Sequence, residues 1–194
     1  MIKIVILISG NGSNMKAIIE TATKESWDVE FPAVISNNPK ADGLIKAKNL
    51  GRKTITINQE LYSDRYQYEC RLASEINKFK PDLIVLAGFM RILSKDFVDQ
   101  YQGKIINIHP SLLPAFPGLN THRNALLAGV KVHGITIHFV TSELDAGPII
   151  AQKSIEILEN DTEVSLKKRI QKIEHEIYPK VIKQLLNNLK EKKY

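Results

Sequence analysis

The chain has 194 residues, 43% of them hydrophobic and 25% charged, and a net charge of +6. That balance excludes a disordered chain and suits one α/β domain, residues 1–194, with a substantial core. The positive charge gathers in the tail Lys190-Glu191-Lys192-Lys193 and is otherwise scattered. It reads as a solvated surface that attracts anionic small molecules, not as a nucleic-acid groove.

The first predicted element is the apolar run Ile2–Ile8, a buried strand. It is short, lacks a small-residue cleavage site and flows into SGNGSN, so it is not read as a signal peptide. A strand that ends in a glycine turn and opens a helix, here Met15–Ala22, is a phosphate-binding arrangement. The dinucleotide fingerprint is incomplete, because Gly10 and Gly12 are followed by Met15 where a third glycine belongs. The next strand, Phe31–Ile35, ends in Ser36-Asn37-Asn38 with no ribose-binding carboxylate. The loop is therefore expected to hold a phosphate but not NAD.

A helix over Asp42–Asn49 ending at Gly51, a strand at Thr54–Ile57 and a helix at Ser63–Lys78, capped by Ser63 or Asp64, continue the alternation. Cys70, the one cysteine, lies in that helix and is read as structural. A lone cysteine excludes an internal disulfide and a thiolate metal cluster. Pro81 introduces DLIVLAG, the clearest buried strand, followed by a helix at Lys95–Tyr101 and a strand at Lys104–Ile108. The rhythm predicts a doubly wound, mostly parallel α/β sheet.

After His109 the pattern changes. A loop rich in proline and glycine leads to a short helix around Asn124–Leu127, then to HGITIHFV and PIIAQKSIEI, an expected mixed or antiparallel extension. Leu166, Ile170, Ile173, Ile177, Val181 and Leu185 mark a long C-terminal helix, with a kink expected at Pro179. No stretch approaches the roughly 20 apolar residues of a membrane span, and a cytoplasmic protein is expected.

Ligands of open α/β sheets bind beyond the carboxyl ends of the strands. Ser9–Asn14, Gly88–Leu93 and Asn107–Pro110 are such ends. Asn107 and His109, two apart in a strand, face one side. An amide and an imidazole there can stabilise an oxyanion and move a proton. Asp145, in the turn ELDAGP, is the candidate partner that would favour a charged histidine. Ser111 lacks a nucleophile elbow, and His133 and His138 match no zinc spacing, so they read as structural and no metal is expected.

The series GNGSN, LAGFMRIL, NIHPSLLP, PGLNTHR, HGITIHFV and ELDAGP resembles the folate-dependent phosphoribosylglycinamide formyltransferase family over nearly the whole chain. The resemblance implies a Rossmann-like formyltransferase fold and formyl transfer from 10-formyltetrahydrofolate, a co-substrate, in purine synthesis. It implies that Gly12, Ser13, Asn14 and Glu174 bind the ribonucleotide. Arg65, Met90, Arg91, Ile92, Leu93 and Asn107, with Thr141, Ser142, Glu143 and Leu144, would bind the folate. Asn107, His109 and Asp145 would be catalytic, with Asp145 acting on His109 through ordered water. Small-molecule substrates, no nucleic acid or membrane partner, and a monomer or homodimer are expected. Ala115, Asn120, Ser142 and Ile173 depart from common residues of the family. The main alternative is a formyltetrahydrofolate deformylase, which would use the same trio on water; its relatives carry an N-terminal regulatory domain and lack GNGSN. A methionyl-tRNA formyltransferase would need a further C-terminal barrel.

Overall fold

The computed structural model describes residues 1–191. Lys192 and Lys193 of the basic tail lie outside the described residues. The elements run β1 Ile2–Ile8, α1 Ser13–Lys24, β2 Val29–Ser36, α2 Asp42–Asn49, β3 Thr54–Thr56, α3 Arg65–Asn77, β4 Leu83–Leu86, α4 Lys95–Gln100, β5 Ile105–His109, α5 Thr121–Leu127, β6 Val132–Phe139, β7 Ile149–Glu156 and α6 Glu163–Glu191. The sheet order is β3-β2-β1-β4-β5-β6-β7. This is the expected mostly parallel α/β sheet with an antiparallel pair at its C-terminal side.

The chain divides into two compact units, Met1–Ile106 and Asn107–Tyr194. In the first, β1 pairs in parallel with β2 and β4, and β2 with β3. Ile4, Val5, Ile6, Leu7 and Ile8 have no exposed surface. A strand buried on both faces needs an unbroken apolar run, which is why IKIVILI does not alternate. Each such side chain contributes roughly 1.5–3 kcal/mol by leaving water. Asp64 caps α3 by accepting the Gln67 N–H at 2.8 Å, and Ser94 caps α4. Cys70 on α3 is exposed, so it does not serve the core as the structural reading expects.

In the second unit β6 and β7 are antiparallel. Helix α5 starts at Thr121, three residues before the expected point, because Asn120 at φ 58° supplies its left-handed N-cap. Helix α6 runs unbroken through Pro179, which is buried within it. Its buried row is Leu166, Ile170, Glu174, Tyr178, Val181, Ile182 and Leu186. Ile173, Ile177 and Leu185 are only half-buried, because the inward row steps by four residues from Leu166 and takes in Glu174 and Tyr178. Among the described residues no helix is long and apolar enough to cross a membrane.

Candidate active site

The first unit supplies the glycine loop between β1 and α1, built on backbone geometry. Gly12 is the N-cap of α1 in the left-handed region, φ 71°, with no side-chain cap bond. No side chain at the N-cap closes the first turn of α1, and a helix start of that kind suits an anion. A Cβ at Gly12 would sit 2.7 Å from Gly43 Cα, and Gly43 N–H donates to the Gly10 carbonyl at 3.0 Å. The loop thus packs glycine on glycine against α2, with Met15 wholly buried where the fingerprint would carry its third glycine. Lys46 on α2 donates to the carbonyl and side-chain oxygens of Asn11 at 2.8 and 2.6 Å. The amides after β2 are engaged internally. Ser9 donates to Asn37 at 2.6 Å, Asn37 to Gln59 at 2.9 Å and Asn38 to the Ser9 carbonyl at 3.2 Å.

The second strand end of this unit meets the first. Ser9 N–H donates to Gly88 O at 3.1 Å, and Met90 N–H to Ser9 Oγ at 2.7 Å. Arg65, at the start of α3, donates to the Ile92 carbonyl at 2.6 Å and to Glu69 at 3.1 Å. Glu69 is buried and also accepts the Ser94 N–H at 2.8 Å and the Ser94 hydroxyl. Arg65 and Met90–Leu93 are thereby brought together, with Glu69 as the anchor the sequence reading missed. Met90 and Ile92 are 70% and 60% exposed, but Leu93 turns inward at 6%. Its side chain packs the core and offers a ligand only its backbone.

In the second unit Asn107 and His109 leave β5 on one side. The His109 ring is 5% exposed, with Nε2 2.9 Å from the Phe116 carbonyl and Nδ1 3.4 Å from Asp145 Oδ2. The carboxylate lies beside the ring. Both nitrogens face acceptors, so both can carry a proton. Only the Phe116 contact has the length of a closed hydrogen bond, and the Nδ1 proton is the less committed of the two. Asp145 sits at φ 52° and accepts the Gly118 N–H at 2.8 Å. Gly147 is required in this turn, since a Cβ there would lie 1.8 Å from the Phe139 carbonyl.

His138 belongs to this cluster, contrary to a purely structural reading. Its Nδ1 contacts the Phe139 carbonyl at 2.9 Å, its Nε2 meets Asn107 Nδ2 at 3.3 Å, and Asp145 Oδ1 lies 3.9 Å away. Burial, the dominant cause, lowers its pKa despite the opposing pull of Asp145. A neutral ring with its proton on Nδ1 accepts one N–H of Asn107 and leaves the other free to donate to substrate. Histidine at the end of an alternating strand, on the face of Gly134 and Thr136, was the available signal.

The remaining histidines and acids sort differently. His133 stays in a packing role, 3.2 Å from His122 and edge-on to Phe116. Burial pushes His122 down to about 4. No group of three potential ligands among the described residues could hold a metal ion. Ser111 is buried and donates to the Ala115 carbonyl at 2.6 Å. Glu174 is buried on α6, where its charge helps to raise the Tyr178 pKa after burial itself. It is not on a solvated face. Thr141 is half-buried, while Ser142, Glu143 and Leu144 form an exposed loop before Asp145.

The formyl transferase family model matches residues 2–182. The chain belongs to the formyl transferase family. It is 48% identical over 92% of its length to a phosphoribosylglycinamide formyltransferase of Escherichia coli (strain K12), covering 84% of that protein. It is 43% identical over 99% of its length to the enzyme of the same name from Bacillus subtilis (strain 168), covering all of it. Its fold superposes on the crystal structure of a phosphoribosylglycinamide formyltransferase from Bacillus halodurans with a TM-score of 0.91, at 38% identity and 95% coverage of each chain. In a formyl transferase the donor is a formyl folate, and the side chains gathered around His109 can serve group transfer without a covalent nucleophile.

Proposed function

We propose that this chain transfers the formyl group of 10-formyltetrahydrofolate to the amine of 5'-phosphoribosylglycinamide. The observation that carries the reading is the His109–Asp145 contact beside Asn107, in a chain similar over its full length to enzymes of that name. The family match runs without interruption over residues 2–182, which supports one formyltransferase domain, residues 1–194. Small-molecule substrates and a cytoplasmic location belong to the same reading.

The ribonucleotide phosphate would lie on the N–H groups of Gly12, Ser13 and Asn14 at the start of α1. Glu174 would contact the ribonucleotide. The folate would take the exposed apolar Met90 and Ile92 with Arg91, the Leu93 backbone, Arg65, Asn107 and the loop Thr141–Leu144. An apolar strip beside a guanidinium suits a flat heteroaromatic ring that bears a carboxylate tail.

In the reaction the amine lone pair attacks the formyl carbon. A C–N bond forms and the carbonyl oxygen becomes an oxyanion. The free Asn107 N–H and the His109 Nδ1 proton would stabilise it, and the negative charge of Asp145 balances the imidazolium. The bond from the formyl carbon to N10 then breaks. The proton lost by the attacking nitrogen passes to N10, with His109 and Asp145 as the groups placed to relay it. Holding both substrates in place accounts for much of the acceleration.

The test is an absorbance assay of deformylation with and without the ribonucleotide. Product that requires the ribonucleotide is expected. Equal rates without it would make the chain a deformylase, a reading the transferase relatives do not favour.

A further inference from the structure

The segment between β5 and α5 carries one carbonyl that the His109 ring depends on. Phe116 O meets His109 Nε2 at 2.9 Å, and Phe116 has φ 53°, a conformation an aromatic residue keeps only where its surroundings impose it. A chain of hydrogen bonds imposes it. Ser111 Oγ, fully buried, donates to Ala115 O at 2.6 Å and lies 3.2 Å from Phe116 O. The Ser111 carbonyl accepts the Thr136 hydroxyl at 2.7 Å. Leu113 N–H donates back to Thr136 Oγ1 at 2.9 Å. Gln152 Nε2 closes the set, donating to Leu113 O at 2.8 Å and to Thr136 Oγ1 at 2.9 Å.

The Thr136 hydroxyl is thus saturated, giving one hydrogen bond and accepting two. Gly134, two residues earlier on the same face of β6, leaves the space that Leu112 fills; a Cβ there would lie 2.6 Å from Leu112 Cδ2. The segment is therefore fastened to β6 and β7 at three successive residues, 111 to 113. Gln152 is exposed on β7 and Thr136 is buried on β6. The hydrogen bonds that lead from both to the His109 ring pass through the backbone of this segment.

We propose that Gln152 and Thr136 are positioning residues for His109: through the segment Ser111–Phe116 they hold the carbonyl that fixes the Nε2 proton and turns Nδ1 toward Asp145. The inference rests on the reading of His109 as the proton-donating group of formyl transfer. It deepens that reading by tracing the ring's orientation to an exposed side chain on the outer strand of the antiparallel pair.

The experiment uses the full chain with 15N-labelled histidine, its His109 signals identified by their loss in His109→Ala. Gln152→Leu removes both donated hydrogen bonds at an exposed position and should leave folding intact. Thr136→Val removes the hydroxyl with little change of shape, and Thr136→Ser keeps it. In Gln152→Leu and Thr136→Val the His109 Nε2 resonance is expected to shift as its hydrogen bond to the Phe116 carbonyl loosens. kcat should fall roughly three- to thirtyfold, about the effect of one lost hydrogen bond, with both KM values within about twofold. Thr136→Ser should restore spectrum and rate relative to Thr136→Val. A His109 spectrum unchanged in Gln152→Leu and in Thr136→Val would overturn the proposal, and so would a lower kcat with an unchanged spectrum. Absence of formyl transfer by the unmutated chain would overturn the functional reading instead, and the spectra would still decide whether these residues position the ring.

Discussion

The two units approach their chemistry by different means. The glycine loop of the first unit, the proposed phosphate site, relies on backbone: glycines at 10, 12 and 43, a left-handed N-cap and the N–H groups of a helix start. The cluster of the second unit relies on side chains from three separate segments, at 107 and 109, at 138 and at 145, oriented by one another and by loop carbonyls. The difference teaches where each is vulnerable. A backbone site fails when a side chain is added. A side-chain site fails when a donor is removed or a ring changes its tautomer.

The largest expected effect lies in the second unit. His109→Ala should lower kcat by roughly 10³–10⁴, the upper part of what a proton-transferring group contributes. The ribonucleotide KM should barely move, and steady-state kinetics in both substrates checks this. A large rise in that KM would erase the contrast between the units. Next, Asn107→Ala removes one oxyanion donor and should cost roughly 10²–10³ in kcat. The double variant with His138→Ala should add little to it, if His138 works by orienting Asn107. Additive losses would mean that His138 acts separately.

The comparison sharpens on the other side with Gly12→Ala. The new methyl meets Gly43 at 2.7 Å in a left-handed backbone. It should destabilise the fold by roughly 2–4 kcal/mol and raise the ribonucleotide KM more than it lowers kcat. Denaturant melts and kinetics would show it. A smaller effect is expected of Glu69→Gln, which weakens the anchor of Arg65 and Ser94. A folate KM raised roughly fivefold, about 1 kcal/mol, is expected, with an unchanged ribonucleotide KM.

The smallest effect concerns acid stability. Burial holds His122 at about 4 and lowers His133, so the unfolded chain takes up protons between pH 6.5 and 4 that the folded chain does not. Stability should therefore be full above pH 6.5 and fall as pH drops toward 4. His122→Gln should flatten that slope in melts taken across the range. An unchanged slope would remove His122 as its source.

Much of this was legible along the chain. The run IKIVILI, the turn SGNGSN and the cap at Asp64 act over a few residues, so local pattern carries them. The same holds for Asn107 and His109, whose shared face follows from strand geometry alone. Asp145 stands out in the turn ELDAGP as the candidate partner of His109, and the family resemblance implies the same role for it. The inward row of α6 was misread because a buried Glu174 and Tyr178 look polar in a periodicity that counts only apolar residues.

The sequence by itself determined the alternation of buried strands and helices, the glycine turn and the formyl transferase motif series, because period, turn chemistry and residue order are local properties. Tertiary structure alone decided that Gly43 makes room for Gly12, that Glu69 anchors the segment at Ile92, and that His138 meets the Asn107 amide. It alone decided that the Phe116 carbonyl holds the His109 ring. Each of these joins residues that lie 7 to 31 positions apart. Contacts of that reach depend on how strands pair and loops close, and no local pattern in the chain encodes that partner choice.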